Sequence, residues 1–502
     1  MIEEARPVGL TTPIRVGVAC LVVTLVAARN APIGVAVVVA VAMVAVTAAT
    51  AAAEESRRRV VLGRRTPIRS RGLDLGDFRM PPRAPRRLIK PRSLGWAPVV
   101  IAAAGVLVTA KSHNVIAAIV GAVLAAFIAV EPVITLGRLA SVDERSHLAD
   151  RATEAILRAA ADYEPELVLY FSGIVEELYQ LRMWFAPLQR LGLRTLIVVR
   201  GVYVFDELKR PPFPVVGTVR NDLIAALPLP KRVVTLFPTH SGDNLSMVRR
   251  PETVCVFVGH GESDKPDSSN PYARLYDEVW VAGPLGRRRY AEAAVGVRDE
   301  AVREIGRPQF VTPTGPPPHP PVVVYAPTWE GWGDDAHHTS IPHVGVALVD
   351  ALLAMPGVEV RYRPHPLTGI DNPTVRRAHE EILERVGQVP PLESIGVTFA
   401  AASALVTDVS STIGEYLGFD RPYAVVDTRN AGRRAMSRRF PSTAGGFLLG
   451  PDLAGLDALV AAATGGRDAT AARRRELLVD SLGDPATSQE RFAAAVDRLR
   501  RG

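Results

Sequence analysis

The sequence predicts an α/β protein built as two lobes, each a parallel sheet covered by helices, behind a hydrophobic N-terminal region. Three observations carry this. From about Ser141 onward, short apolar runs closed by turn residues alternate with helix-like segments, which is how parallel βαβ units read. The alternation breaks at Thr312-Pro313-Thr314-Gly315-Pro316-Pro317-Pro318-His319-Pro320-Pro321, which continues neither a helix nor a central strand, and then begins again. Ahead of residue 141 lie four apolar stretches, at 14–28, 31–53, 94–110 and 115–136. The expected boundaries are 1–140 for the hydrophobic region, 141–311 for the first lobe, 312–321 for the linker and 322–502 for the second lobe.

A helix needs about 20 apolar residues to cross the hydrocarbon core of a bilayer. The second stretch meets that length, and the fourth does so with Glu131-Pro132 near its interfacial end. The first and third are shorter, each joined to its successor by a brief polar break, Arg29-Asn30 and Lys111-Ser112-His113-Asn114. Two helical hairpins are the simplest arrangement. A cleavable signal peptide fits less well, because no polar cleavage region separates the first two stretches. Between the hairpins, residues 54–93 hold 13 Arg and Lys against 4 Asp and Glu. Loops of this kind face the cytoplasm. An even number of spans then puts both termini and both lobes there, as a multi-pass protein of the cell membrane. The same arginines attract anionic lipid headgroups, at about 1 kcal/mol for each basic residue close to the surface.

The net charge of +7, from 59 Lys and Arg against 52 Asp and Glu, is accounted for by that loop. The lobes are near balance, so the charge gives no reason to expect nucleic acid as a partner. Cys20 lies in an apolar stretch and Cys255 in a predicted strand, a pair not placed for a disulfide and consistent with a reducing compartment.

Strand candidates in the first lobe are 167–171, 195–199, 233–237, 254–258 and 278–281. Those in the second lobe are 322–325, 358–362, 404–407 and 423–426. An amphipathic segment at 488–499 is suited to pack back across the first lobe. In open α/β sheets ligands bind at the carboxyl ends of strands, and three such ends carry chemistry. Thr407-Asp408-Val409-Ser410-Ser411-Thr412 closes a strand and opens a helix, whose amide groups and dipole suit phosphate while Ser410, Ser411 and Thr412 add hydroxyls. Ordinary N-capping by Asp or Ser explains the same residues. Arg361-Tyr362-Arg363-Pro364-His365-Pro366 holds an imidazole between two prolines beside Arg363, whose guanidinium pairs well with phosphate oxygens. Val258-Gly259-His260-Gly261 exposes His260 at a strand end, and an imidazole of ordinary pKa, about 6.5, accepts a proton from an alcohol at neutral pH.

Taken in order, His260-Gly261, Val324-Tyr325-Ala326-Pro327-Thr328-Trp329, Arg363-Pro364-His365-Pro366 and Thr407-Asp408-Val409-Ser410-Ser411 resemble the CDP-glycerol glycerophosphotransferase family. The likeness covers roughly residues 165–480. That family builds teichoic-acid-type poly(glycerol phosphate) on bacterial membranes with GT-B domains, two Rossmann-type lobes around a cleft. The resemblance implies that His260 is the base for the acceptor hydroxyl, with Gly261, Ser263 and Lys265 on the acceptor side. It implies that His365 acts with it, and that Arg363, His365, Asp408, Ser410, Ser411 and Thr412 hold the donor phosphates. Glu415 matches an acidic position suited to the cytidine ribose. The implied donor is CDP-glycerol or a related CDP-alcohol, the acceptor a lipid-linked or polymeric hydroxyl and the leaving group CMP. Membrane lipids are expected partners, no cofactor is required, and an oligomer is compatible with the reading. The family's usual Thr-Pro-Leu-Lys after His-Gly is replaced here by Glu262-Ser263-Asp264-Lys265, and its Lys-Pro-His-Pro by a segment beginning with Arg363.

Two other readings stand beside this one: a GT-B glycosyltransferase using a nucleotide sugar, and a non-catalytic membrane scaffold. Fold alone does not choose among them. His337-His338 with Asp334-Asp335 lacks a recognised ligand spacing, so no metal site is expected. Trp329 and Trp332 suit stacking on a base or sugar as well as packing. The basic clusters at 287–289, 433–434 and 438–439 read first as solvated helix faces, and second as contacts for a polyanion or a membrane.

Overall fold

The computed structural model describes residues 11–30, 32–63, 67–79, 99–101, 103, 104, 106, 108, 115–145, 147–310, 318–331, 339–387 and 395–501. Most of the third apolar stretch, most of the proline linker, and Trp332, Asp334, Asp335, His337 and His338 lie outside these residues. The chain forms two compact units, one of residues 1–69 and 74–159, the other of residues 70–73 and 160–502.

The first unit is helical. Its helices Thr11–Asn30, Ile33–Gly63 and Val115–Arg145 meet along a seam of Val16, Cys20, Val23 and Ala27, of Val39, Met43 and Val46, and of Ala122, Ala125 and Ala129. Spacings of three and four keep each set on one helix face, and small residues let the backbones approach. Large apolar side chains point the other way, with Phe127 78% and Val44 69% exposed. Two of these helices are long and apolar enough to cross a membrane, at Ile33–Arg57 and Ile119–Ser141, and each buries only about a third of its apolar window. The four expected spans therefore reduce, among the described residues, to two that meet the length. Near the end of the second helix, Glu54 and Arg57 form a buried ion pair.

The second unit contains two sheets. The larger has eight strands: β1 (Ile68–Arg71), β2 (Leu167–Phe171), β3 (Thr195–Val199), β4 (Val215–Thr218), β5 (Val233–Phe237), β6 (Thr253–Phe257), β7 (Glu278–Val281) and β8 (Val302–Glu304), in the order β1-β4-β3-β2-β5-β6-β7-β8. From β4 to β8 every pairing is parallel, with Leu167 opposite Thr195 on one side and Val234 on the other. The smaller sheet contains β9 (Val322–Ala326), β10 (Glu359–Tyr362), β11 (Ala404–Thr407), β12 (Tyr423–Val426) and β13 (Phe447–Leu449), in the order β10-β9-β11-β12-β13 and parallel throughout. The expected α/β fold with parallel sheets is what the chain adopts. Central strands such as β2, β3, β5, β9 and β11 are buried along their whole length, because helices cover both faces of a parallel sheet and leave no polar side.

Strand order reverses between β2 and β5 in one sheet and between β9 and β11 in the other. Such reversals open a crevice at the carboxyl edge. The final helix, Ser488–Arg501, drops Phe492 and Val496 into the first-lobe core, where Phe492 meets Trp184 and Trp280 at ring separations of 5.6 and 5.9 Å. The end of the chain thus closes the lobe that its middle began. Phe492→Ala should lower unfolding stability by about 3–5 kcal/mol, read as a shift in the urea midpoint; a loss below about 1 kcal/mol would show that the helix is not part of this core.

Candidate active site

Each lobe delivers one imidazole to the cleft. His260 follows β6, set in a turn by Gly259 (φ +61°), and its Nδ1 lies 2.9 Å from the carbonyl oxygen of Pro238, after β5. A carbonyl only accepts, so Nδ1 carries the hydrogen and Nε2 keeps its lone pair. His365 follows β10. Its Nδ1 accepts the Leu367 amide hydrogen at 3.1 Å, so the neutral ring carries its hydrogen on Nε2. One histidine is poised to take a proton and the other to donate a hydrogen bond.

Burial lowers the pKa of His260 to about 4, with Arg307 adding to the shift and the Pro238 carbonyl opposing it. Burial also lowers His365, to about 3, helped by His260 and Lys265. The ordinary value expected for His260 is thus displaced downward, because its ring is dehydrated and faces a cation. Both rings are neutral at neutral pH.

Tyr179, from the short helix Leu178–Arg182 after β2, stands between them. Its ring lies edge-on to His260 at 6.0 Å and to His365 at 5.6 Å, and its hydroxyl oxygen is 3.2 Å from His365 Nε2. Trp329, just after β9, stacks on His365 at 5.7 Å and 16°. Glu330 shapes the loop beyond by accepting amide hydrogens from Gly369, Asp371 and Asn372.

The lobes touch at Gly261. A β-carbon there would lie 2.8 Å from Cβ of Ser411, so only glycine allows the approach. Beneath it, Arg307 of the first lobe forms an ion pair with Glu415 of the second and donates to the His260 carbonyl at 3.1 Å. The two side chains are 8% and 10% exposed. Glu415 therefore serves as the counter-ion of Arg307 here. Ser410, Ser411, Glu262, Arg289, Arg307 and Glu415 help line a narrow interlobe crevice of about 20 Å³.

The remaining sequence candidates divide by what their atoms touch. Asp408 is fully buried, and its Oδ2 accepts the amide hydrogens of Thr328 at 2.9 Å and Ser340 at 3.2 Å. It braces the loops after β9 and is not turned to a phosphate, and burial raises its pKa to about 6. Protonation on the other oxygen leaves both accepted bonds in place. Thr407 donates to the Ala326 carbonyl at 2.7 Å, Thr412 lies 2.7 Å from Thr407, and Ser410 lies 2.6 Å from Thr412. With Thr407 committed to the carbonyl, the hydroxyl hydrogens of Ser410 and Thr412 run inward along this ladder. They hold the turn instead of pointing into the cleft. The helix that follows, Thr412–Leu417, has six residues, and Ser411 makes no cap bond to it, so its dipole offers an anion less than the sequence suggested.

Arg363 is held by Thr398 Oγ1 at 2.6 Å. Ser263 bonds Ser268 at 2.9 Å and shapes the loop after His260. Lys265 crosses to the second lobe, with Nζ 3.3 Å from Thr328 Oγ1, and bears on both His365 and Asp408. The unusual acidic residues after Gly261 are structural: Glu262 and Asp264 both pair with Arg289, and Asp264 accepts the Ser442 amide hydrogen at 2.7 Å across the lobes. Sequence reasoning missed Tyr179, Arg307 and His240. His240 follows β5, stacks on Phe257 at 3.7 Å, and has a pKa lowered to about 4 by burial and by His260. Among the described residues no group of three or more His, Cys, Asp or Glu is placed to hold a metal ion.

Comparison with known proteins bears on the second lobe. Residues 307–429 match the family described as CDP-Glycerol:Poly(glycerophosphate) glycerophosphotransferase. That span holds Arg307, Trp329, Arg363, His365, the Asp408–Ser411 turn and Glu415; His260 lies before it. No protein of curated function matches the chain. Among solved structures, the wall teichoic acid polymerase TagF is similar over 72% of this chain and 96% of its own, at 13% identity and a TM-score of 0.46. A UDP-N-acetylglucosamine 2-epimerase covers 67% of this chain and 96% of its own, at 14% and 0.43. S. aureus MnaA with UDP covers 66% and 96%, at 15% and 0.43.

The paired shifts make a prediction about pH. A base that must be neutral loses activity only as pH falls through its own pKa. The kcat/KM of the free enzyme should stay level from about pH 8 to about pH 5 and fall as pH approaches about 4. An inflection near about 6.5 would show an ordinary, hydrated histidine instead.

Proposed function

We propose that this chain, whose residues 307–429 match the CDP-glycerol glycerophosphotransferase family, moves glycerol phosphate from CDP-glycerol to an acceptor hydroxyl and releases CMP. The observation that carries the reading is the pair of neutral histidines of opposite tautomer, one from each lobe, flanking a single tyrosine. The family match over 307–429 supports a donor of this class at the second lobe, and His260 is the candidate base from the first.

The proposed step is an in-line displacement at the glycerol-bearing phosphorus. His260 Nε2 takes the proton of the acceptor hydroxyl as its oxygen bonds to phosphorus. The bond from phosphorus to the bridging oxygen breaks, and CMP leaves with that electron pair. Charge gathers on the phosphate oxygens, where His365 Nε2–H, Lys265 and Arg363 provide donors and positive charge, and such preorganised groups do most of the work in phosphoryl-type transfer. Asp408, Thr407, Ser410 and Thr412 keep the strand ends in register for it, while Ser411 stands at the lobe contact. Glu415 balances Arg307 behind the base, and the approach of Gly261 to Ser411 keeps water out. Ser263 shapes the acceptor-side loop. No metal or other cofactor enters this scheme.

The GT-B arrangement of the two lobes and attachment to the cell membrane belong to the same proposal. The two apolar helices, with most of their windows facing outward, support a membrane-embedded first unit. The excess of basic residues over 54–93 in the sequence supports lobes on the cytoplasmic side. A lipid-linked or polymeric acceptor fits that location.

The test is CMP release by the full chain in detergent, supplied with a lipid bearing one glycerol phosphate and, in parallel, CDP-glycerol, CDP-ribitol or a UDP-sugar. CDP-glycerol should be consumed, and His260→Ala should lower kcat by about 10²–10⁴-fold. Turnover of the UDP-sugar alone would replace this reading with glycosyl transfer, and a His260→Ala rate within a few fold of wild type would remove the base.

A further inference from the structure

We infer that Tyr179 is a hydrogen-bond donor to the transferring phosphate, completing an oxyanion site with His365; this rests on the transferase reading above. The geometry runs as a chain of donors and acceptors. Leu367 N–H donates to His365 Nδ1 at 3.1 Å, so the neutral imidazole presents Nε2–H to the Tyr179 oxygen at 3.2 Å. Gln180 Nε2 donates to the same oxygen at 3.4 Å. The phenol oxygen therefore accepts from both neighbours and keeps its own hydrogen to give. Burial raises the Tyr179 pKa to about 12, so that hydrogen stays in place across the range in which an assay is run.

The position of Tyr179 fits this role. Its helix follows β2, at the strand reversal of the first sheet, and its half-buried ring meets both His260 and His365 at near right angles. A reacting phosphorus must lie within reach of both the base and the donor-side imidazole, and the Tyr179 hydroxyl sits 3.2 Å from His365 Nε2 on a ring that contacts both. When the donor binds, a non-bridging phosphate oxygen takes the place between His365 Nε2–H and Tyr179 O–H and accepts from both. As the acceptor oxygen bonds to phosphorus and the bond to CMP breaks, charge on that oxygen grows and both hydrogen bonds strengthen. No proton leaves Tyr179: the acceptor proton goes to His260. The gain is concentrated in the transition state, so it appears in kcat more than in donor affinity.

Tyr179→Phe separates this from a purely structural role, because phenylalanine keeps both ring-edge contacts and loses only the hydroxyl. With the full chain, CDP-glycerol and the glycerol-phosphate lipid, kcat should fall about 10²-fold while the KM for CDP-glycerol changes by less than about threefold. A kcat within about twofold of wild type, or a loss confined to donor KM, would overturn the assignment of Tyr179 alone. A wild-type chain that releases no CMP would overturn the transferase reading and this role with it.

Discussion

A backbone carbonyl after one strand and a backbone amide after another decide which nitrogen of each cleft histidine carries hydrogen. Pro238 C=O takes the Nδ1 hydrogen of His260, and Leu367 N–H fills the Nδ1 lone pair of His365. Everything chemical in the cleft depends on this opposition. Two histidines with the same tautomer would present two bases or two donors; these present one of each. The partners are main-chain atoms fixed by strand ends and tight turns, so the assignment survives side-chain motion.

The sheets explain why these two rings meet. Both strand orders reverse near the middle, and His260, Tyr179, Trp329, His365 and the Asp408–Ser411 turn all follow carboxyl ends in the second unit. Dehydration then tunes the rings. Burial is the largest cause of the lowered pKa at both histidines, and the buried Arg307–Glu415 pair beneath His260 neutralises a cation that would otherwise depress its basicity further. A phosphate-bearing donor entering this space adds negative charge beside His260, which makes it a better proton acceptor when substrate is present.

Much of this was legible in the sequence where punctuation is local. Glycines around His260 and prolines around His365 mark strand ends, and the apolar runs of β2, β3 and β5 mark buried parallel strands. Strands β1, β4, β8 and β13 escaped notice because their apolar signal is weak: β1 reads Ile68-Arg69-Ser70-Arg71, β4 ends in Gly217-Thr218, β8 reads Val302-Arg303-Glu304, and β13 has three residues. Tyr179 escaped for a different reason. It sits in a short helix with no signature, and its importance arises only when a residue 186 positions away folds against it. Asp408 and Ser410 were visible as a motif, but their job was not: only the folded positions of Thr328, Ser340, Thr407 and Thr412 reveal a brace and a hydroxyl ladder. The acidic residues after Gly261 likewise make sense only beside Arg289.

The most direct measurement is the ¹⁵N chemical shifts of the two imidazoles in histidine-labelled protein at neutral pH, assigned with single His→Gln variants. The account predicts two neutral rings, His260 protonated on Nδ1 and His365 on Nε2. Matching tautomers, or a positively charged ring at either position, would contradict it.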